Sequence, residues 1–212
     1  MQSFLSELDE YFCQVYAGYD KLCVLDGYEQ PVMQSTRTDE FGRTIAYTLP
    51  MSEMSLSRQE KKTELLAALK EKICDVEFSF PILPLGFFAK IGQKFSKKSF
   101  YRVFKKWFES QNITEKEVLA AVDLSEDAYK EIKNGRALPC KSLLFTWSLA
   151  LGMTCDDALR LLSICGAAFD FSKERDVVVA YLLQNRVYNR ELVQTALKEY
   201  RVGNLYFRKE ND

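Results

Sequence analysis

The chain has 212 residues, 47% hydrophobic and 28% charged, an ordinary globular composition long enough for one large domain or two small ones. A formal net charge of -1 and a pI near 5.8 exclude a global pull toward nucleic acid or an anionic membrane, so any such binding must be local. There is no histidine, which removes the usual imidazole base, the Ser/His/Asp and Cys/His arrangements and most zinc and haem sites. The expectation is a protein that is not an enzyme and uses no cofactor or metal.

The six cysteines, Cys13, Cys23, Cys74, Cys140, Cys155 and Cys165, never come within zinc-knuckle spacing and read as buried free thiols. The N-terminus carries no basic leader and no apolar run approaches bilayer length, so the expected location is cytoplasmic, with no membrane contact.

In chain order, Phe4, Leu8, Phe12, Val15 and Tyr19 recur at steps of four and three and predict an amphipathic helix over residues 3–19. A loop is expected over 20–31, with a short apolar strand at 22–25. Alternation at Thr44, Ile45, Ala46, Tyr47 and Thr48, preceded by the turn residues Asp39, Glu40, Phe41 and Gly42, predicts a hairpin within 32–49. A third extended piece is expected at 76–80.

Ser57 and Glu60 have capping-box spacing, and Leu65, Leu66, Leu69 and Ile73 continue as a helix toward Cys74. Pro81, Pro84 and Gly86 then break the pattern in an apolar setting, which reads as a linker packed on a surface. The boundary is placed there, giving an N-terminal α+β region, 1–85, and a helical domain, 86–212.

Phe100, Val103, Phe104, Trp107 and Phe108 predict a helix over 97–110 with a strongly apolar face. Its other face is basic: residues 61–112 hold 11 basic and 5 acidic side chains, against 4 and 10 in residues 1–60. That run reads either as a solvated face, paired with the acidic front of the chain, or as a phosphate-contacting stripe.

Four short helices follow. Thr114 with Glu117 forms a capping box, Ser125 caps a second helix stopped by Gly135, and Pro139 opens a third, with Leu143, Leu144, Trp147, Leu149 and Leu151 as core, that ends at Gly152. Thr154 caps a fourth with Leu159, Leu162 and Ile164 inward. Beyond these, Ser172 and Asn189 are expected caps of two more helices, the first apolar at Val177, Val178, Ala180, Tyr181 and Leu182, the second ending before Gly203. Leu205, Tyr206 and Phe207 in the tail read as a docking peptide or, more simply, as a segment folded back on the body.

The string ITEKEVLAAVDLSEDAYKEIKNGRALP, followed by LALGMTCDDALRLL, resembles the phage-repressor helix-turn-helix family, the lambda-repressor-like or XRE-type class, over residues 98–165. The resemblance implies a positioning helix over 114–122, a recognition helix over 125–134, and the version of this domain with two further C-terminal helices found in bacterial proteins. The fold expected is therefore mostly α with a small antiparallel β element and a helix-turn-helix bundle in the C-terminal half. At Glu115, Glu126 and Asp127 the chain departs from the family's polar or basic residues, and three carboxylates facing a polyanion are unfavourable.

Two functions compete. One is a regulatory protein acting through a protein partner or self-association. The alternative is a DNA-binding transcriptional regulator whose basic surface comprises Lys97, Lys98, Arg102, Lys105, Lys106, Lys130, Lys133, Asn134 and Arg136. An enzyme ranks last, since Asp156 and Asp157 are adjacent and diverge on a helix, and no phosphate loop or dinucleotide fingerprint is present.

Overall fold

The structure, a computed structural model, describes residues 2–16, 34–38, 44–48, 62–73, 75, 80–86, 89, 99–203 and 205–208. The short strand expected at 22–25, the extended piece at 76–79, the Ser57 cap, Lys97 and Lys98 lie outside these. Within them the chain is mostly helical with a small antiparallel β element.

Helix α1, Gln2–Val15, turns Leu8, Phe12 and Tyr16 inward at steps of four. Strands β1, Gln34–Thr38, and β2, Thr44–Thr48, pair antiparallel with Gln34 opposite Thr48 and Thr38 opposite Thr44, the expected hairpin. Helix α2, Lys62–Lys72, buries Leu66 and Leu69, and Ile73 just past its end is also buried.

The apolar linker is a strand. Ile82–Pro84, β3, pairs antiparallel with Ala137–Pro139, β4, and the amides of Leu85 and Cys140 donate to the carbonyls of Arg136 and Pro81 at 3.0 and 2.9 Å. Pro139 therefore ends a strand rather than opening a helix. Its lack of an N–H is tolerated at this short edge, and the helix cap falls to Cys140, whose sulfur accepts the Leu143 amide at 3.4 Å.

The remaining helices are α3 (Phe100–Ser110), α4 (Glu115–Ala120), α5 (Glu126–Lys133), α6 (Lys141–Ala150), α7 (Cys155–Ile164), α8 (Glu174–Gln184) and α9 (Arg190–Glu199). In α6 every residue from Ser142 to Leu149 is buried, and in α8 every residue from Arg175 to Leu183, so these two helices form the centre. The hydroxyls of Thr146 and Ser148 are satisfied by the carbonyls of Ser142 and Leu144 at 2.7 and 2.8 Å. Trp147 is fully buried, 4.9 Å between ring centres from Phe104, and donates through Nε1 to the Val118 carbonyl at 3.1 Å.

One hydrophobic core runs through both halves of the chain, joining Leu8, Phe12 and Leu69 to the α3–α9 helices. Phe12 lies 4.5 Å from Tyr200, whose hydroxyl donates to Asp9 at 2.7 Å, while Lys70 bridges Asp9 and Glu199 at 2.8 Å each. Deeper in, Arg175 donates through Nε to Asp75 at 2.7 Å and through Nη1 to Ser142 at 2.6 Å, and Lys141 pairs with Asp176.

Three local expectations are corrected. Leu159 is 43% exposed because the helical period turns Ala158, Leu161 and Leu162 inward instead. Leu151 is the half-buried C-cap of α6 rather than core. Ser172 does not cap α8: its amide and hydroxyl both bond Asp170 Oδ1, leaving Lys173 as the cap, with no side-chain bond there, while Asp176 accepts the Asp170 amide at 2.6 Å.

The tail folds back. Phe207 forms an antiparallel bridge with Val122, the Asp123 amide donates to the Tyr206 carbonyl at 2.7 Å, and the Tyr206 amide donates to Thr146 Oγ1 at 2.9 Å.

Candidate functional site

The α4–α5 pair is built by its caps. Thr114 Oγ1 accepts the Glu117 amide at 3.3 Å and the Thr114 amide donates to Glu117 Oε2 at 2.7 Å, a complete capping box. Ser125 Oγ accepts the Ala128 amide at 3.2 Å, and Gly135, at φ +66°, ends α5 in the left-handed region that a side chain would strain. Tyr129 and Ile132 are the buried side of α5, so Glu126, Asp127, Lys130 and Lys133 face outward.

On that outer face cations and carboxylates are interleaved. Lys130 lies 3.2 Å from Asp127 and 4.0 Å from Glu126, Lys133 lies 2.6 Å from Glu115, and Arg136 lies 3.4 Å from Glu131. Four carboxylates thus meet three cations, and the Glu126 and Asp127 side chains are 77% and 93% exposed. Each such pair is worth only about 0–1 kcal/mol, so a partner opens them easily, but the face offers a polyanion no net attraction.

Glu115 is the best-held of these groups. It accepts from Lys133 and, at 3.1 Å, from the Tyr101 hydroxyl, and the Lys133 ammonium stands 5.9 Å over the Tyr101 ring. The Lys133 hydrogen bond, then that of Tyr101, holds the Glu115 carboxyl below its ordinary range, and Glu115 in turn raises the Lys133 ammonium. Burial, then the neighbouring Glu115 charge, raises the Tyr101 phenol. Beneath it the Tyr129 hydroxyl is buried with no partner at full hydrogen-bond geometry among the described residues, and burial, then Tyr101 and Glu115 alongside, keeps it un-ionised.

The other expected cations are divided. Arg102, Lys105, Lys133 and Asn134 meet around a cavity of about 380 Å³ between α3 and the end of α5. Lys106 instead joins Arg160 and Asp157 in a groove between α3 and α7, which Arg102 also borders, and Lys130 and Arg136 line neither. Lys105 additionally lies 3.5 Å from Glu109 on its own helix.

The chain matches no protein-family model, no curated protein and no solved structure.

Its chemistry is therefore judged from its own residues. Among the described residues no group of three or more histidine, cysteine, aspartate or glutamate side chains is placed to hold a metal ion, and no helix is long and apolar enough to cross a membrane. Burial, then the neighbouring Cys140, pushes the Cys165 thiol up to about 12, and burial, then Asp156, raises Cys155, so neither is an activated nucleophile.

The sequence missed the Lys133–Glu115–Tyr101 cluster because it joins three helices. The signal available was only the placement of Glu115 in the first turn of α4. Glu115 and Glu117, the latter held low by its bonds to Thr114, ionise more readily in the folded chain than at their ordinary value of 4.5. The unfolded chain then takes up protons first as pH falls, so their stabilising contribution is complete above that value and lost below it. The urea midpoint of wild type should exceed that of Glu117→Gln near neutral pH, and the gap should close as pH falls below that value.

Proposed function

We propose that the chain is a non-catalytic regulatory module in which α4 and α5 form a helix-turn-helix of the phage-repressor kind that has been turned to protein recognition. The observation that carries this reading is the charge pattern of α5: its cations are taken by carboxylates of the same surface, while Glu126 and Asp127 project almost fully exposed. The complementary partner is a positively charged protein surface, either another protein or a basic face of a second copy. DNA reading would instead need Glu126 and Asp127 to meet base donors such as cytosine N4, with no spare cation on α5 to hold the phosphates.

A photo-crosslinking residue at Asp127 distinguishes the two. In cells that make the protein naturally, the expected product is a covalent adduct with a protein, weakened by Glu126→Lys. Cross-linking to nucleic acid would defeat the reading.

A further inference from the structure

The cavity between α3 and the end of α5 lies beside the surface used above. Its volume, about 380 Å³, lies within the range of small-molecule sites. One wall is the start of α3, an 11-residue helix whose first-turn amides point out of the helix and whose dipole favours negative charge. Ser99 occupies the N-cap position with extended backbone, φ -62° and ψ 146°, the geometry from which a serine ordinarily caps its own helix. It does not do so. The residue is only 6% exposed, its hydroxyl makes no hydrogen bond among the described residues, and it lines the cavity. The hydroxyl is thus a donor and acceptor left open to a ligand at this wall.

The rest of the wall specifies that ligand. Arg102 and Lys105 bring cations to the rim beside Asn134 and the Glu115-bonded Lys133, while Ile132 and Leu138 form an apolar floor. Lys105 lies 3.5 Å from Glu109 and also feels the Glu115 charge, exposed interactions that an incoming anion displaces at little cost. A compact dianion fits this set: it accepts from Ser99 and the first-turn amides and meets the rim cations, while an attached ring covers the floor.

We propose that this cavity binds the phosphate group of a small phosphate monoester, with Ser99 and the start of α3 as the cradle and Lys105 as its counter-charge.

The test uses the full chain and amide-resolved NMR at constant ionic strength, titrating inorganic phosphate and, separately, phenyl phosphate. Inorganic phosphate should shift the amides of Ser99, Tyr101 and Gly135 saturably at about millimolar concentration, and phenyl phosphate should bind about tenfold tighter through the floor. Lys105→Ala and Ser99→Ala should each weaken binding about tenfold. Neither removes a bond that holds the fold, since Ser99 caps nothing and Lys105 is exposed. Shifts that do not saturate, or binding untouched by both substitutions, would overturn the proposal. So would a short DNA duplex that moves the same amides when phenyl phosphate does not, because the phosphate would then be a nucleic acid's.

Discussion

Replacing Trp147 with alanine is expected to destabilise the protein by about 3–5 kcal/mol, the range for truncating a buried aromatic. The site explains why the upper end applies. Trp147 is fully buried on the central α6, has ring contacts with Phe100, Phe104 and Tyr129, and donates to the Val118 carbonyl. The substitution therefore opens a cavity at the junction of α3, α4, α5 and α6 and orphans a carbonyl in α4. Since domains are stable by about 5–15 kcal/mol, most of the margin goes. Trp147→Phe keeps much of the volume and should cost far less, mainly the lost hydrogen bond at about 1 kcal/mol. Urea unfolding of the two variants measures the difference, and equal midpoints would contradict this account of the core.

The second large effect is at Arg175, whose guanidinium binds Asp75 through Nε and Nη2 and Ser142 through Nη1, with only 10% and 9% of the Arg175 and Asp75 side chains exposed. Arg175→Ala takes the guanidinium from a carboxylate that stays buried, which costs about 3–5 kcal/mol in comparable pairs. Replacing both partners, Arg175→Met with Asp75→Leu, removes the buried charges together and should recover a large part of that loss. A double-mutant cycle in urea reads the coupling. If the double variant is as unstable as the sum of the singles, the pair does not act as a unit.

These two sites differ in how far they were legible beforehand. Trp147 stood in an apolar helix pattern and was an expected core residue, whereas Arg175 follows Glu174 in what reads as a charged helix start. Its partner is 100 residues away, a separation that no local period reports. The caps at Thr114, Ser125, Thr154 and Asn189 were readable for the opposite reason: each is a bond to an amide three residues on, so spacing alone states it. At Ser172 the spacing misleads, because its amide and hydroxyl are taken by Asp170 just before it.

The same division runs through the candidate surface. The acidic residues of α5 and its basic neighbours are visible in the sequence, but their pairing is not. Lys130 with Asp127 follows from helical spacing, while Lys133 with Glu115 requires α4 and α5 to be docked. The β3–β4 strand pair was likewise hidden. An apolar Pro-Ile-Leu-Pro stretch says that the chain is extended, and only the fold says that it lies along the segment leaving α5. Ala137 and Leu138 of that pair line the cavity at the α3 start, so its existence too depended on a long-range contact.

The most direct measurement is the affinity of the full chain for mixed-sequence duplex DNA across a salt series, with a Lys130→Ala, Lys133→Ala and Arg136→Ala triple variant in parallel. With carboxylates outnumbering cations on the α5 face, the account predicts that the variant binds no more weakly than wild type and that these three residues contribute nothing to the salt slope. A wild-type slope steeper than the variant's by about 3 in log–log form, with affinity lost in the variant, would mean that the three residues contact phosphates and would contradict it.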